Sequence, residues 1–173
     1  GESVRTALWI VLGALGVAVW SAVGACCDWG HVMPDAAVMT VAFLAVRRNP
    51  LSLAATAVAL GYVVGRQALA PVGLHESAMV LCALGLQLVA GHLVGSGAVF
   101  FAAVAAGSVV AYHVLLAVLL WLGGAAVGFS SLATSLLLPS AAVTFLLALV
   151  SHPVMLRLEQ VVTPARREEL SWR

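Results

Sequence analysis

Apolar residues run almost unbroken through this chain, and polar ones collect in short breaks between the runs. Six runs can be marked: Thr6 to Cys26, Met33 to Val46, Leu51 to Gly65, Ser77 to Val94, Ala98 to Leu122 and Ser131 to Leu156. The breaks carry Asp28, then Arg47-Arg48-Asn49-Pro50, then Arg66. A helix crossing the hydrocarbon core of a bilayer uses about 17–25 apolar residues, so the pattern predicts six transmembrane helices. The second and third runs are short, at about 14–15 residues. Either they borrow loop residues or one of them is broken or tilted. Pro34 and Pro50 open these two runs, where the first helical turn tolerates a missing N–H.

Composition agrees with the pattern. Apolar residues make up 63% of the 173 before the 16 glycines are counted, and charged ones 9%. An ordinary soluble domain is about 45–50% apolar and about 25% charged. The expected fold is all-α: a polytopic membrane helix bundle forming a single integral domain over residues 1–173, with a short tail at 157–173. Six spans use roughly 120–150 residues, which leaves no room for a separate catalytic or nucleic-acid-binding domain. A formal charge of +1 points to no acidic partner. Cys26, Cys27 and Cys82 give neither a disulfide framework nor a zinc spacing.

All eight basic residues are arginine, and cytoplasmic loops collect positive charge. With six spans and the N-terminus inside, Arg5, Arg47, Arg48, Arg157, Arg166, Arg167 and Arg173 are cytoplasmic and Arg66 is external. Both termini are therefore expected inside. Val23-Gly24-Ala25-Cys26 comes near a lipoprotein cleavage box. The five further spans and the arginine distribution predict that the first run is retained as a span.

Ionisable groups in or near a bilayer are costly, which makes each a functional candidate. His113 lies mid-run in the fifth span, where its neutral ring can hydrogen-bond across a helix interface or serve as a ligand or proton relay. Gln87 and His92 are five apart and do not share a helix face. Cys26, Cys27, Asp28, His31, Asp35, His75 and Glu76 gather at the expected outer face. His31 and Asp35 are four apart, as one helix face would place them, but the set matches no strong metal motif. Asp35 and Arg66 fall near the outer ends of adjacent antiparallel spans, where an ion pair could hold their register. Gly61/Gly65, Gly91/Gly95 and Gly124/Gly128 are pairs four apart, a spacing that lets helix backbones approach closely. The first two are expected to pack within the chain. Ser130-Ser131 in a Gly-Phe-Ser-Ser setting, with His152, offers only a chance match to an intramembrane serine protease. No catalytic residue, metal site or cofactor site is expected.

Residues 34–75 read PDAAVMTVAFLAVRRNPLSLAATAVALGYVVGRQALAPVGLH. The order and spacing of Pro34-Asp35, Arg47-Arg48 with Pro50, Gly61-Tyr62 with Gly65, and Pro71-Val72-Gly73-Leu74-His75 resemble the bacterial rod shape-determining MreD family. The run SHPVMLRLEQ, ending the last span on a proline and an arginine, is similar as well. One step departs from the family pattern: where a GLLxD-like run would place an acidic residue, this chain has Gly65-Arg66-Gln67-Ala68-Leu69.

The resemblance implies a non-enzymatic scaffold in the bacterial inner membrane, with a fold like the substrate-binding component of energy-coupling-factor vitamin transporters. It implies an MreC-like single-span partner, links to the RodA glycosyltransferase and a penicillin-binding transpeptidase, contact with membrane lipids, and a role in cell elongation and peptidoglycan synthesis. Pro34, Asp35, Arg47 and Arg48 would shape the second-to-third hairpin, and Pro71, Gly73 and His75 the outer loop, with Gly61, Gly65 and Arg66 between them. The rival reading is the small-molecule-binding component of such a transporter. It expects a polar cavity near the outer face, lined by His75, Glu76, Gln87 and His113.

Overall fold

The computed structural model describes residues 2–27, 34–90, 97–125 and 137–162. Among these residues there are six helices and no strand: α1 Glu2–Cys27, α2 Ala36–Ala45, α3 Pro50–Gln67, α4 Leu74–Ala90, α5 Ala98–Leu122 and α6 Leu138–Val162. Three of them, α1, α5 and α6, are long and apolar enough to cross a membrane, which fits a membrane protein. At 1.5 Å per residue each spans about 37–39 Å, against about 30 Å of hydrocarbon core.

Consecutive helices alternate in direction, and side-chain contacts fix this. Thr6 of α1 meets Ser52 of α3 at 2.8 Å, and Gln87 of α4 reaches the Arg48 carbonyl at 2.9 Å. At the other end of α4, His75 bonds Tyr112 of α5, and Thr144 of α6 accepts from the Asp35 backbone N–H at 3.1 Å. Arg5, Arg47, Arg48 and Arg157 therefore share one end of the bundle, and Arg66 stands at the other. Arg166, Arg167 and Arg173 lie outside the described residues.

The helix α2 is the centre of the bundle. All ten of its residues are buried, and it touches each of the other five helices. It covers about 15 Å, roughly half the hydrocarbon thickness, so the short second run is a short helix enclosed by protein. The apolar composition of Ala36–Ala45 on every side is what such enclosure requires. The Asp35 carboxylate accepts from Val38 N at 3.0 Å and caps the helix start. The third run, by contrast, borrows residues at both ends and reaches 18, with Pro50 in its first turn as expected.

One finding revises an expected boundary, and a second bears out an expected contact. The last helix does not end near Leu156; it passes through Pro153 and continues to Val162. A proline removes one backbone hydrogen bond, a loss that helices in apolar surroundings accommodate by local adjustment. The first glycine pair is an internal contact: a Cβ on Gly61 would stand 2.7 Å from Glu76 Cα and 2.9 Å from the His75 carbonyl oxygen. Only a glycine lets α3 and α4 approach this closely. Gly91, Gly95 and Gly128 lie outside the described residues.

Outward faces carry the remaining apolar side chains. Val4, Leu8, Val11, Leu15 and Val19 form an exposed stripe along α1, and Leu146, Val150 and Val154 another along α6. Both follow the three-to-four-residue spacing of one helix face.

Candidate functional site

At the arginine-rich end an aromatic ladder crosses four helices. Trp9 of α1 packs at a tilt against Phe43 of α2 with centroids 5.4 Å apart, Phe43 meets Phe101 of α5 edge-on at 5.6 Å, and Phe101 meets His152 of α6 at 5.4 Å. The Arg47 guanidinium sits 4.3 Å above the Phe43 ring and pairs with Glu159 at 3.2 Å. A cation over an aromatic face is attracted by the ring quadrupole. Beside the ladder lies a mainly apolar cavity of about 340 Å³, walled by Phe43, Phe100, Phe101, Val104, His152 and Leu156. The buried Trp9 indole N–H has no hydrogen-bond partner among the described residues.

The opposite end is built from polar groups. A cavity of about 220 Å³ is lined there by Trp20 and Ser21 of α1, Asp35 before α2, Gln67 of α3, His113 of α5 and Ser140 of α6. Five separate segments each contribute a residue with a polar side chain. The His113 Nδ1 lies 2.8 Å from the Val109 carbonyl one turn earlier. A carbonyl only accepts, so Nδ1 carries the proton and, in the neutral ring, Nε2 keeps its lone pair. The bond lies within α5 and does not cross an interface, so the ring edge bearing Nε2 is not tied up by it. Asp35 and His113 face the same space from the start of α2 and from α5. The α5 helix continues nine residues past His113, about 13 Å, through an apolar run to Leu122. The carboxylate of Asp35 is thus set level with the interior of a long apolar helix.

Next to this cavity, His75 is buried at the start of α4, its Nδ1 on the Tyr112 hydroxyl and its ring edge against Gly65. Pro71, Gly73 and Glu76 form the turn into α4. There Gly73, at φ +93°, donates its N–H to Glu76 Oε2 at 2.9 Å. Positive φ comes at no steric cost for glycine. Leu69, in the Gly65-to-Leu69 step that departs from the pattern the resemblance implies, has φ +52° and is almost fully exposed.

The residues singled out in the sequence therefore fall into separate places. Pro34 is buried at the start of α2 and Asp35 caps it, while Arg66 is exposed at the end of α3; the two form no ion pair. Of the four residues expected to line a polar cavity, His113 does so, His75 sits beside it, and Glu76 is turned to the α3–α4 loop. Gln87 is at the far end on the Arg48 carbonyl, because the twelve residues separating it from His75 amount to about 18 Å of helix. His31, Asp28, His92, Ser130 and Ser131 lie outside the described residues. Among those described, no three His, Cys, Asp or Glu side chains are grouped to hold a metal ion. Cys26 is exposed and free, and Cys82 is buried with its thiol 3.6 Å from the Ser108 carbonyl.

Sequence reasoning missed Trp20, Ser21, Gln67, Tyr112 and Ser140. Tyr112 was available as the neighbour of His113, and Ser140 and Thr144 as polar residues inside the sixth run. No family model, curated protein or solved structure matches the chain.

Proposed function

We propose that this chain is a non-enzymatic scaffold of the bacterial cell-elongation machinery, resembling MreD. In this reading it has six spans in the inner membrane, both termini in the cytoplasm, and an MreC-like single-span partner. One observation carries the proposal: the residues on which the resemblance rests are the ones that frame the bundle. Pro34 and Asp35 start the central helix, Pro50 starts α3, Gly61 and Gly65 let α4 close on α3, and His75 ties α4 to α5. Shared framing residues are what a shared architecture would require. The described arginines at one end, against Arg66 at the other, support the cytoplasmic placement of both termini.

The test is affinity purification of the full chain in mild detergent, with mass spectrometry of co-purifying proteins. Recovery of a single-span coiled-coil protein, RodA or a penicillin-binding transpeptidase is the expected result. Replacing Arg47 with alanine should reduce that recovery while membrane insertion persists. Recovery of ATPase subunits with a stoichiometric metabolite would overturn the reading in favour of a transporter component. The cavity lined by Asp35 and His113 is the observation that favours this second reading.

A further inference from the structure

Five polar side chains converge on the cavity at the Arg66 end of the bundle, and their chemistry is lopsided. The Asp35 carboxylate accepts, His113 Nε2 accepts in the neutral ring, and the Ser21 and Ser140 hydroxyls and the Gln67 amide can each accept. Among the described residues no arginine or lysine lines the space, so an anion would meet the Asp35 carboxylate with no described cation to offset it. A cation with N–H donors satisfies the same groups, and the Trp20 ring supplies an aromatic wall of the kind that attracts cations. A metal ion fits poorly, because no third ligand of suitable type stands with Asp35 and His113 among the described residues. The volume, about 220 Å³, equals that of roughly seven water molecules and lies below the ~300 Å³ typical of sites for larger organic ligands.

We propose that the cavity between Asp35 and His113 binds a small organic cation of the primary-ammonium class. The ammonium donates to the Asp35 carboxylate and to His113 Nε2, and its short substituent lies against Trp20 and the serines. The Val38 N–H satisfies part of the Asp35 carboxylate, but a carboxylate beside an apolar helix is costly without an opposite charge, and the ammonium supplies that charge. This binding is independent of whether the chain scaffolds a cell-wall complex. The same chemistry is offered by a free amine and by the headgroup of an ethanolamine phospholipid.

Thermal unfolding of the detergent-purified full chain separates the two sources. One arm adds ethanolammonium chloride at fixed pH, with ethylene glycol plus sodium chloride as the uncharged control. The other adds phosphatidylethanolamine in mixed micelles, with phosphatidylglycerol as its control. Saturation with the effective probe should raise the Tm by roughly 5 °C or more. Asp35→Asn should abolish the shift or weaken apparent affinity at least about tenfold, as expected for loss of a charge-assisted bond. Asparagine caps a helix as well as aspartate, so this variant keeps its fold, and its unliganded Tm checks that. Glu159→Gln, at the other end of the bundle, should leave the shift unchanged. A shift with ethanolammonium assigns a free amine; a shift with the phospholipid alone assigns a headgroup, and both support the proposal. No shift in either arm, an equal shift with a control, or a shift that survives Asp35→Asn overturns it.

Discussion

Trp9, Phe43, Phe101 and His152 link four helices at one end of the bundle through ring contacts, whereas at the other end Asp35 joins Thr144 and His75 joins Tyr112 through hydrogen bonds. Ring packing is worth most through the area it removes from contact with other molecules, and it tolerates small sliding. A hydrogen bond in apolar surroundings fails if its partners separate by an ångström, and it leaves a buried polar atom exposed to cost. The aromatic end therefore contributes cohesion, and the polar end fixes register. The polar end also holds the cavity with convergent functional groups, while the aromatic end holds a larger but mainly apolar space.

That contrast can be tested by graded substitution. Phe43→Ala removes the ring shared by Trp9, Phe101 and Arg47, and should cost about 3–5 kcal/mol in thermal or denaturant unfolding in detergent. A cost no greater than that of the polar-end variant below would erase the distinction between the ends. Gly61→Ala places a methyl group against the Glu76 backbone, which cannot rotate away, and should cost about 1–3 kcal/mol. Gly13→Ala meets only the tip of Leu60 and should cost less in the same assay. Tyr112→Phe strips His75 of its partner, with an expected loss of about 1–3 kcal/mol. A His75→Phe, Tyr112→Phe double variant should recover part of that loss, since no polar group is then left stranded.

Two smaller effects sharpen the picture. Leu69→Asn should stabilise the chain by up to about 1 kcal/mol, because asparagine enters the positive-φ region more readily than leucine. Glu159→Gln breaks a partly exposed ion pair and should shift stability by less than about 1 kcal/mol, an effect that added salt diminishes.

Hydropathy made much of this legible. The run from Ala98 to Leu122 became α5 over those same residues, and the short second run became a short helix. The basis is that apolar run length and breaks report directly on helix extent. Register between helices was not legible, since no single run states which residue of a neighbour stands beside it. Asp35 was expected to pair with Arg66 near the outer ends of their helices; it lies at that end, but it caps α2 and shares a cavity with His113, and the pair does not form. Gln87 was assigned to the wrong end because span membership was read without its position along the helix. The step at Leu69 shows a different kind of gap: an unfavourable backbone angle at one residue leaves no mark in hydropathy.

The enclosure of α2 bears on the order in which the protein can be made. Synthesis delivers α1 and α2 long before α5 and α6, yet those late helices cover part of the surface of Ala36–Ala45. Until they arrive, this segment is too short to cross the bilayer alone and lacks part of its final cover. Biogenesis must therefore hold the early hairpins together, or protect them, until the carboxy-terminal pair closes around them. A chain interrupted after α4 would leave its central helix partly uncovered and should be recognised by quality control as unfinished.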